Sequence, residues 1–104
     1  MDVRKVYERG LLLLDRSPLK EMPAFLDSLN AKSIAEPEAA LVHDVLFARL
    51  LRIQGRTREA MLHLDSLDRS AYADHPLLDY YLQYTRAQTY LELEYYDDAK
   101  ATAA

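Results

Sequence analysis

Small residues recur at a nearly constant interval along this chain of 104 residues. Gly10, Ala48 and Ala87 are separated by 38 and 39 residues, and three further sets of residues follow the same spacing. The three sets are Leu13, Leu51 and Tyr90; Leu19, Thr57 and Tyr96; and Met22, Ala60 and Ala99. Self-similarity at a period of this length is typical of repeat architectures, in which each repeat is one supersecondary unit.

Hydrophobic periodicity predicts that each repeat is a pair of helices. In the central stretch Leu41–Ser70, two amphipathic helices meet at Gly55, a residue that suits the left-handed position at the end of a helix. Thr57 is the predicted N-cap of the second of them. Pro37 and Pro76 are 39 residues apart and predict the starts of the third and fifth helices, since proline is favoured at the first helical position.

The flanking repeats follow the same plan. Apolar residues recur every three or four positions across residues 3–14, which predicts the first helix. A second helix is predicted from near Lys20, because Pro23 is tolerated in a first turn, where amide hydrogens have no partner within the helix. A short sixth helix is predicted to begin near Tyr96. The expected fold is all-α, an antiparallel helix-hairpin array of about six helices.

The repeat resembles that of the tetratricopeptide family. The motif of that family begins with a small residue. Counted from this residue, an aromatic follows at the third position, glycine at the seventh, a second aromatic at the ninth and alanine at the twelfth. The three repeats read Gly10, Leu13, Ser17, Leu19, Met22; Ala48, Leu51, Gly55, Thr57, Ala60; and Ala87, Tyr90, Glu94, Tyr96, Ala99. The family's opening tryptophan is absent, and the period exceeds the usual length of about 34 residues.

The resemblance implies a right-handed α-solenoid of about three hairpins, forming a single domain over residues 1–104. The predicted sixth helix stops well short of its counterpart in the central repeat, and the ends of a solenoid normally carry a polar capping face. We therefore expect either that the chain is the N-terminal part of a longer protein or that its last helix docks on another copy.

In tetratricopeptide arrays the first helix of each pair lines a concave groove. By this resemblance the groove residues of the present chain are Tyr7, Arg49, Arg52, Tyr81, Tyr84 and Gln88. Guanidinium groups pair bidentately with carboxylates, so such a groove would suit a segment carrying a carboxylate. The family's carboxylate clamp for chaperone tails uses Lys and Asn, and the only asparagine of this chain, Asn30, lies in a linker.

Seven of the eight tyrosines lie between Tyr72 and Tyr96. We expect about half of them in the core, including Tyr90 and Tyr96, because the repeat motif has aromatic residues there. Tyr80, Tyr81 and Tyr84 cannot all point inward, since adjacent helical residues are about 100° apart. At least one of these three is expected to be exposed or in the groove.

Charge and composition exclude several classes of function. The net charge is −4, and the acidic excess lies entirely in residues 71–104, which argues against nucleic-acid binding because that requires a basic face. No apolar run in this stretch approaches the ~18 residues of a membrane span, and no signal peptide is visible, so we expect a cytoplasmic protein. The chain has no cysteine, and its three histidines are far apart in sequence, so neither a metal nor another cofactor is expected.

The sequence therefore predicts a non-catalytic scaffold that binds a peptide or protein segment in a concave groove. The alternative is a sensory or regulatory region of a larger signalling protein or transcriptional regulator. For the arginines from Arg49 to Arg58, the competing interpretation is a solvated face that balances neighbouring acids. In either case the central repeat is expected to be the most stable, with Ala48 and Ala60 as close-packing residues.

Overall fold

The computed structural model describes the backbone of residues 1–103 and the side chains of residues 1–95, and this part of the chain is all-helical. A short 3-10 helix, Arg69–Tyr72, precedes the last α-helix. The α-helices are α1 Val3–Arg16, α2 Met22–Lys32, α3 Glu38–Ile53, α4 Thr57–Ser66 and α5 Pro76–Ala103. The predicted all-α class is confirmed, and each of these helices begins within two residues of its predicted start.

The prediction of a separate sixth helix near Tyr96 is wrong, because α5 continues for 28 residues without a break. The reason lies in the residue at the turn position of the repeat. Gly55 follows α3 with φ of +78°, a conformation that glycine adopts at little cost. The corresponding residue of the third repeat is Glu94, which disfavours that conformation and favours a helix. The helix therefore continues where the central repeat turns.

Backbone preferences account for the other helix ends. The amide of Arg56 donates to the carbonyl of Leu51 over 2.8 Å, which closes the C-terminus of α3 around Gly55. Pro23 lies in the first turn of α2, as predicted. The helix extends to Lys32, so Asn30 lies within α2 and the prediction that it lies in a linker is wrong. Thr57, however, is the first residue of α4 and not its N-cap, and its hydroxyl points toward α5.

Helix α3 lies at the centre of the domain and packs against α1, α2, α4 and α5. Its apolar residues face all four neighbours, so little of the helix is left for solvent. Burial of these side chains removes apolar surface from water, which is the main favourable term in folding. The largest fully buried apolar side chains of the core include Tyr7, Met22, Leu29, Val42, Val45, Leu46, Leu64, Tyr72, Leu78 and Leu82.

The small residues of the first two repeats occupy close helix contacts. Ala48 and Ala60 are fully buried, which confirms their predicted packing role. A β-carbon on the buried Gly10 would clash with the side chain of Leu46, so α1 approaches α3 more closely there than any larger residue would allow. These contacts explain why small residues recur at these positions.

The third repeat differs, because no described helix folds back to cover the corresponding face of α5. Ala87 is exposed and the Tyr90 side chain is 55% exposed, so the prediction that Tyr90 lies in the core is wrong. The side chain of Tyr96, predicted to lie there too, is outside the described residues. The buried face of α5 is instead formed by Leu78, Leu82, Thr85 and Thr89. Tyr80 and Tyr84 are exposed, as expected for tyrosines that cannot all point inward.

None of the described helices has the length and apolar character that crossing a membrane requires.

Candidate binding groove

Helices α1, α3 and α5 lie side by side and leave a solvent-open groove with a volume of about 470 Å³. Each of the three helices contributes side chains to its lining. The lining residues are Leu11, Leu14, Asp15, Arg49, Arg52, Ile53, Gln88 and Glu92. We call this feature the α1–α3–α5 groove.

Arg49 is held in place by two tyrosines. Its Nε donates a hydrogen bond of 2.8 Å to the hydroxyl oxygen of Tyr7, and its Cζ lies 5.9 Å from the ring centroid of Tyr84. A guanidinium over an aromatic face is attracted by the negative face of the ring. Among the residues that the structure describes, no carboxylate lies within ion-pair distance of Arg49. The groove therefore contains a positioned cation that no carboxylate of the described residues contacts.

Tyr7 lies beneath the groove surface, with only 1% of its area exposed. Its ring stacks on Tyr81, with centroids 3.9 Å apart and planes 10° from parallel. Burial raises the pKa of the Tyr7 hydroxyl, and the charge of Arg49 together with the nearby Thr85 hydroxyl offsets part of this increase. Tyr7 thus stays neutral near pH 7, and its hydroxyl oxygen remains an acceptor for Arg49.

Arg52, one turn along α3, has its counter-ion within the chain. Its Nε and Nη2 donate to the same carboxylate oxygen of Glu92, over 3.0 and 2.8 Å. The other oxygen of Glu92 accepts a hydrogen bond of 3.0 Å from the hydroxyl of Thr57. Glu92 therefore ties α5 to the end of α3 and to the start of α4, and Arg52 is already neutralised.

Gln88 joins the two arginine sites. Its amide oxygen lies 3.5 Å from Nη1 of Arg52, and its amide nitrogen donates over 3.0 Å to the hydroxyl of Tyr84. Because the Tyr84 ring faces Arg49, a single line of polar contacts runs along the groove. Gln88 thus links Arg52 to the tyrosine that faces Arg49.

The structure brings the six predicted groove residues into one connected group. Arg49, Arg52 and Gln88 line the groove, whereas Tyr7 lies below it and Tyr81 and Tyr84 support it from α5. Their role in binding a partner remains a prediction. Sequence reasoning missed Glu92 and Thr57, although Glu92 is four residues after Gln88 and hence on the same helix face.

The arginine cluster of the sequence divides in the structure. Arg56 pairs with Glu59 at the exposed start of α4, and this pairing lowers the pKa of the Glu59 carboxyl. Arg49 and Arg52 lie in the groove instead, together with the acids Asp15 and Glu92. The lining thus carries two positive and two negative charges.

The histidines make structural contacts. The Nδ1 atom of His43 lies 3.0 Å from a carboxylate oxygen of Asp44, and Nε2 of His63 lies 2.9 Å from the Asp44 carbonyl oxygen. The Phe47 ring packs against both imidazoles and joins α3 to α4. Within the described part of the chain, no three His, Cys, Asp or Glu residues form a group that could hold a metal ion.

Comparison with protein-family models, with curated proteins and with solved structures finds no match to this chain. Any inference about its function therefore depends on the groove itself.

Proposed function

We propose that the chain is a non-catalytic, tetratricopeptide-like scaffold that binds a protein segment through a carboxylate in the α1–α3–α5 groove. The observation that carries this proposal is the contrast between two neighbouring arginines. Arg52 is paired with Glu92, whereas Arg49 has no carboxylate partner among the described residues and is nevertheless held in one orientation. A ligand carboxylate would supply the missing counter-ion.

The packing of the helices supports a hairpin array. Helices that follow one another in sequence are in contact, α1 with α2, α2 with α3, α3 with α4 and α4 with α5, and α3 also contacts α1 and α5. The groove is lined by α1, α3 and α5, the helices that would come first in each pair of such an array. A groove on the first helices is what the family resemblance leads us to expect.

The chemistry of Arg49 favours a carboxylate ligand. Its Nε is used by the Tyr7 hydroxyl, but its two terminal nitrogens make no hydrogen bond to the described residues. These two nitrogens present parallel donors that match the two oxygens of a carboxylate. Because Tyr7 and Tyr84 already fix the guanidinium, little side-chain entropy is lost on binding.

The walls of the groove favour an apolar side chain next to that carboxylate. Leu11 and Ile53 border the arginines, and Ile53 is exposed. A segment with an apolar residue beside a C-terminal or side-chain carboxylate satisfies both requirements. Since the lining charges balance, we expect affinity to depend only modestly on salt, unlike the steep dependence of a basic surface.

The proposal is tested with a combinatorial library of hexapeptides in two forms, with a free C-terminal carboxylate and with an amide. We expect the wild-type chain to retain peptides that carry a carboxylate beside an apolar residue. Arg49→Met keeps much of the side-chain volume but removes the charge, and we expect at least a tenfold loss of affinity, since a charge-assisted bidentate pair is worth about 1.5–3 kcal/mol.

Arg58→Met is the matched control, because Arg58 is an exposed arginine on α4, away from the groove. It should bind the selected peptides as the wild type does. Circular dichroism would verify that both variants keep their helix content. Equal retention of peptides with and without carboxylates, or unchanged binding by Arg49→Met, would refute the proposal.

A further inference from the structure

Helix α5 has two apolar faces, and the described part of the chain covers one of them. The inner face, with Leu78 and Leu82, packs on α3 and α4. The outer face carries a stripe of exposed residues, Leu77, Tyr80, Tyr84, Ala87, Leu91 and Tyr95. A helix that is apolar on opposite sides is normally buried on both. The outer stripe therefore has the character of an interface.

The spacing of the stripe matches a helix-helix seam. From Leu77 the exposed apolar residues follow at intervals of three, four, three and four, up to Leu91. Alternation of three and four is the a/d pattern of a two-stranded coiled coil. At 1.5 Å per residue the stripe up to Tyr95 is about 27 Å long, which is enough for several layers of interhelical contacts.

The residues that flank the stripe are almost uncharged. Gln83, Gln88 and Tyr90 border it, and Glu94 is the one charged residue on this face within the described side chains. Aromatic residues are enriched and charged residues are depleted at the centres of protein interfaces. A second helix with the same composition would fit this face.

We infer that the outer face of α5 binds the same face of a second copy of the chain, with the two helices antiparallel. A twofold axis between positions 84 and 87 would place each Tyr84 opposite the small Ala87 of the other copy, and Tyr80 opposite Leu91. A parallel pair would instead place tyrosine against tyrosine and Glu94 against Glu94. The antiparallel pair brings Glu94 to the N-terminal end of the other helix, where the helix dipole favours an acid.

The exposed area is appropriate for a weak dimer. With about 200 Å² for a whole tyrosine side chain, the stripe would bury roughly 600–700 Å² on each copy, somewhat below the ~800 Å² of a standard interface. We therefore expect association that depends on concentration in the micromolar range. This inference does not depend on the proposed peptide binding, since the stripe and the groove are different faces of α5 that meet along Tyr84 and Gln88.

Sedimentation equilibrium tests the inference on the full chain over about 1–200 μM, the range in which an interface of this size dissociates. The mass should rise from 12.0 kDa toward that of a dimer. Leu91→Glu should raise the dissociation constant at least tenfold, because it places a carboxylate in the seam. Leu62→Glu on α4 is the matched control, since Leu62 is 70% exposed and Leu91 is 64% exposed, and it should dimerise normally.

Orientation is tested by cross-linking, which is straightforward because the chain has no cysteine. Tyr80→Cys mixed with Leu91→Cys should form the mixed disulfide under mild oxidation, while either variant alone should form much less. Preferential cross-linking of Tyr80→Cys to itself would overturn the antiparallel arrangement. A chain that stays monomeric at 200 μM, or dimers unaffected by Leu91→Glu while circular dichroism shows intact helices, would overturn the inference as a whole.

Discussion

The central hairpin, α3 and α4, and the C-terminal helix α5 contain equivalent residues of the same repeat in opposite environments. Ala48 and Leu51 of α3 are buried, whereas their counterparts Ala87 and Tyr90 on α5 are exposed. Both alanines match the small residue of the motif, and Tyr90 matches its aromatic position more closely than Leu51 does. Burial therefore depends on whether a second helix folds back over the first, and a repeat motif alone does not ensure that it does.

One turn residue accounts for much of the difference. Gly55 allows the chain to leave α3 and return as α4, whereas Glu94 at the same position of the repeat continues the helix. A consequence is that α5 keeps an uncovered apolar face, while the central hairpin is covered by neighbours on both sides. The comparison leads to predictions that test the same position of the repeat in both regions.

The largest difference in the loss of unfolding free energy is expected between Leu51→Ala and Tyr90→Ala. Leu51 is 3% exposed, so truncation leaves a cavity in the core, and the free energy of unfolding should fall by about 2–5 kcal/mol. Tyr90 is largely exposed, and its truncation should change the free energy of unfolding by about 0.5 kcal/mol or less. Urea denaturation followed by circular dichroism measures both. Similar losses for the two variants would mean that Tyr90 is covered in solution.

A smaller difference in stability is expected between the variants Ala48→Leu and Ala87→Leu. Ala48 lies in a close helix contact, and overpacking it should cost about 1–3 kcal/mol. Ala87 has no described helix over it, so leucine there should change stability by about 0.5 kcal/mol or less. Melting temperatures measured at low protein concentration compare the two variants, because α5 is not paired with another copy under that condition. Unchanged melting for Ala48→Leu would contradict the assigned helix contact.

The smallest difference in stability is expected at alkaline pH, where tyrosines ionise. It is between the effects of Tyr72, which precedes α5, and of Tyr90, which lies on it. Tyr72 is buried, and its hydroxyl donates over 3.4 Å to the carbonyl of Leu41. Burial raises the pKa of Tyr72 well above 10.0, so the unfolded chain ionises first. Its contribution to stability is present below pH 10 and is lost as pH rises, by up to about 1.4 kcal/mol per pH unit.

Tyr72→Phe should therefore reduce the slope of stability against pH above pH 10. Tyr90→Phe should reduce that slope less, because the pKa of the exposed Tyr90 hydroxyl is raised mainly by its hydrogen bond to the Glu94 carboxylate, an interaction that solvent screens. Urea midpoints measured from pH 8 to pH 11 provide the slopes. An equal slope for wild type and Tyr72→Phe would show that Tyr72 ionises as freely in the folded chain as in the unfolded one.

The sequence predicted the helical class, the helix starts and the close packing of Ala48 and Ala60, because these follow from local backbone preferences and from periodicity. It also led to the six groove residues, although through a family resemblance. It did not predict the continuity of α5, since the weak preference of Glu94 for a helix was outweighed by the expectation of a regular repeat. Thr57 was assigned to a local cap, while its hydroxyl binds Glu92 on a distant helix.

By itself, then, the sequence determined which segments are helical and which residues are small enough for close helix contacts, since neighbouring residues decide both. Only the tertiary structure decided that Arg52 is paired with a carboxylate while Arg49 contacts none among the described residues, because Glu92 is 40 residues from Arg52 and meets it only when α5 packs on α3. The tertiary structure also decided which face of α5 is covered by other helices. Periodicity identifies apolar faces, but the packing of whole helices determines which of them meet.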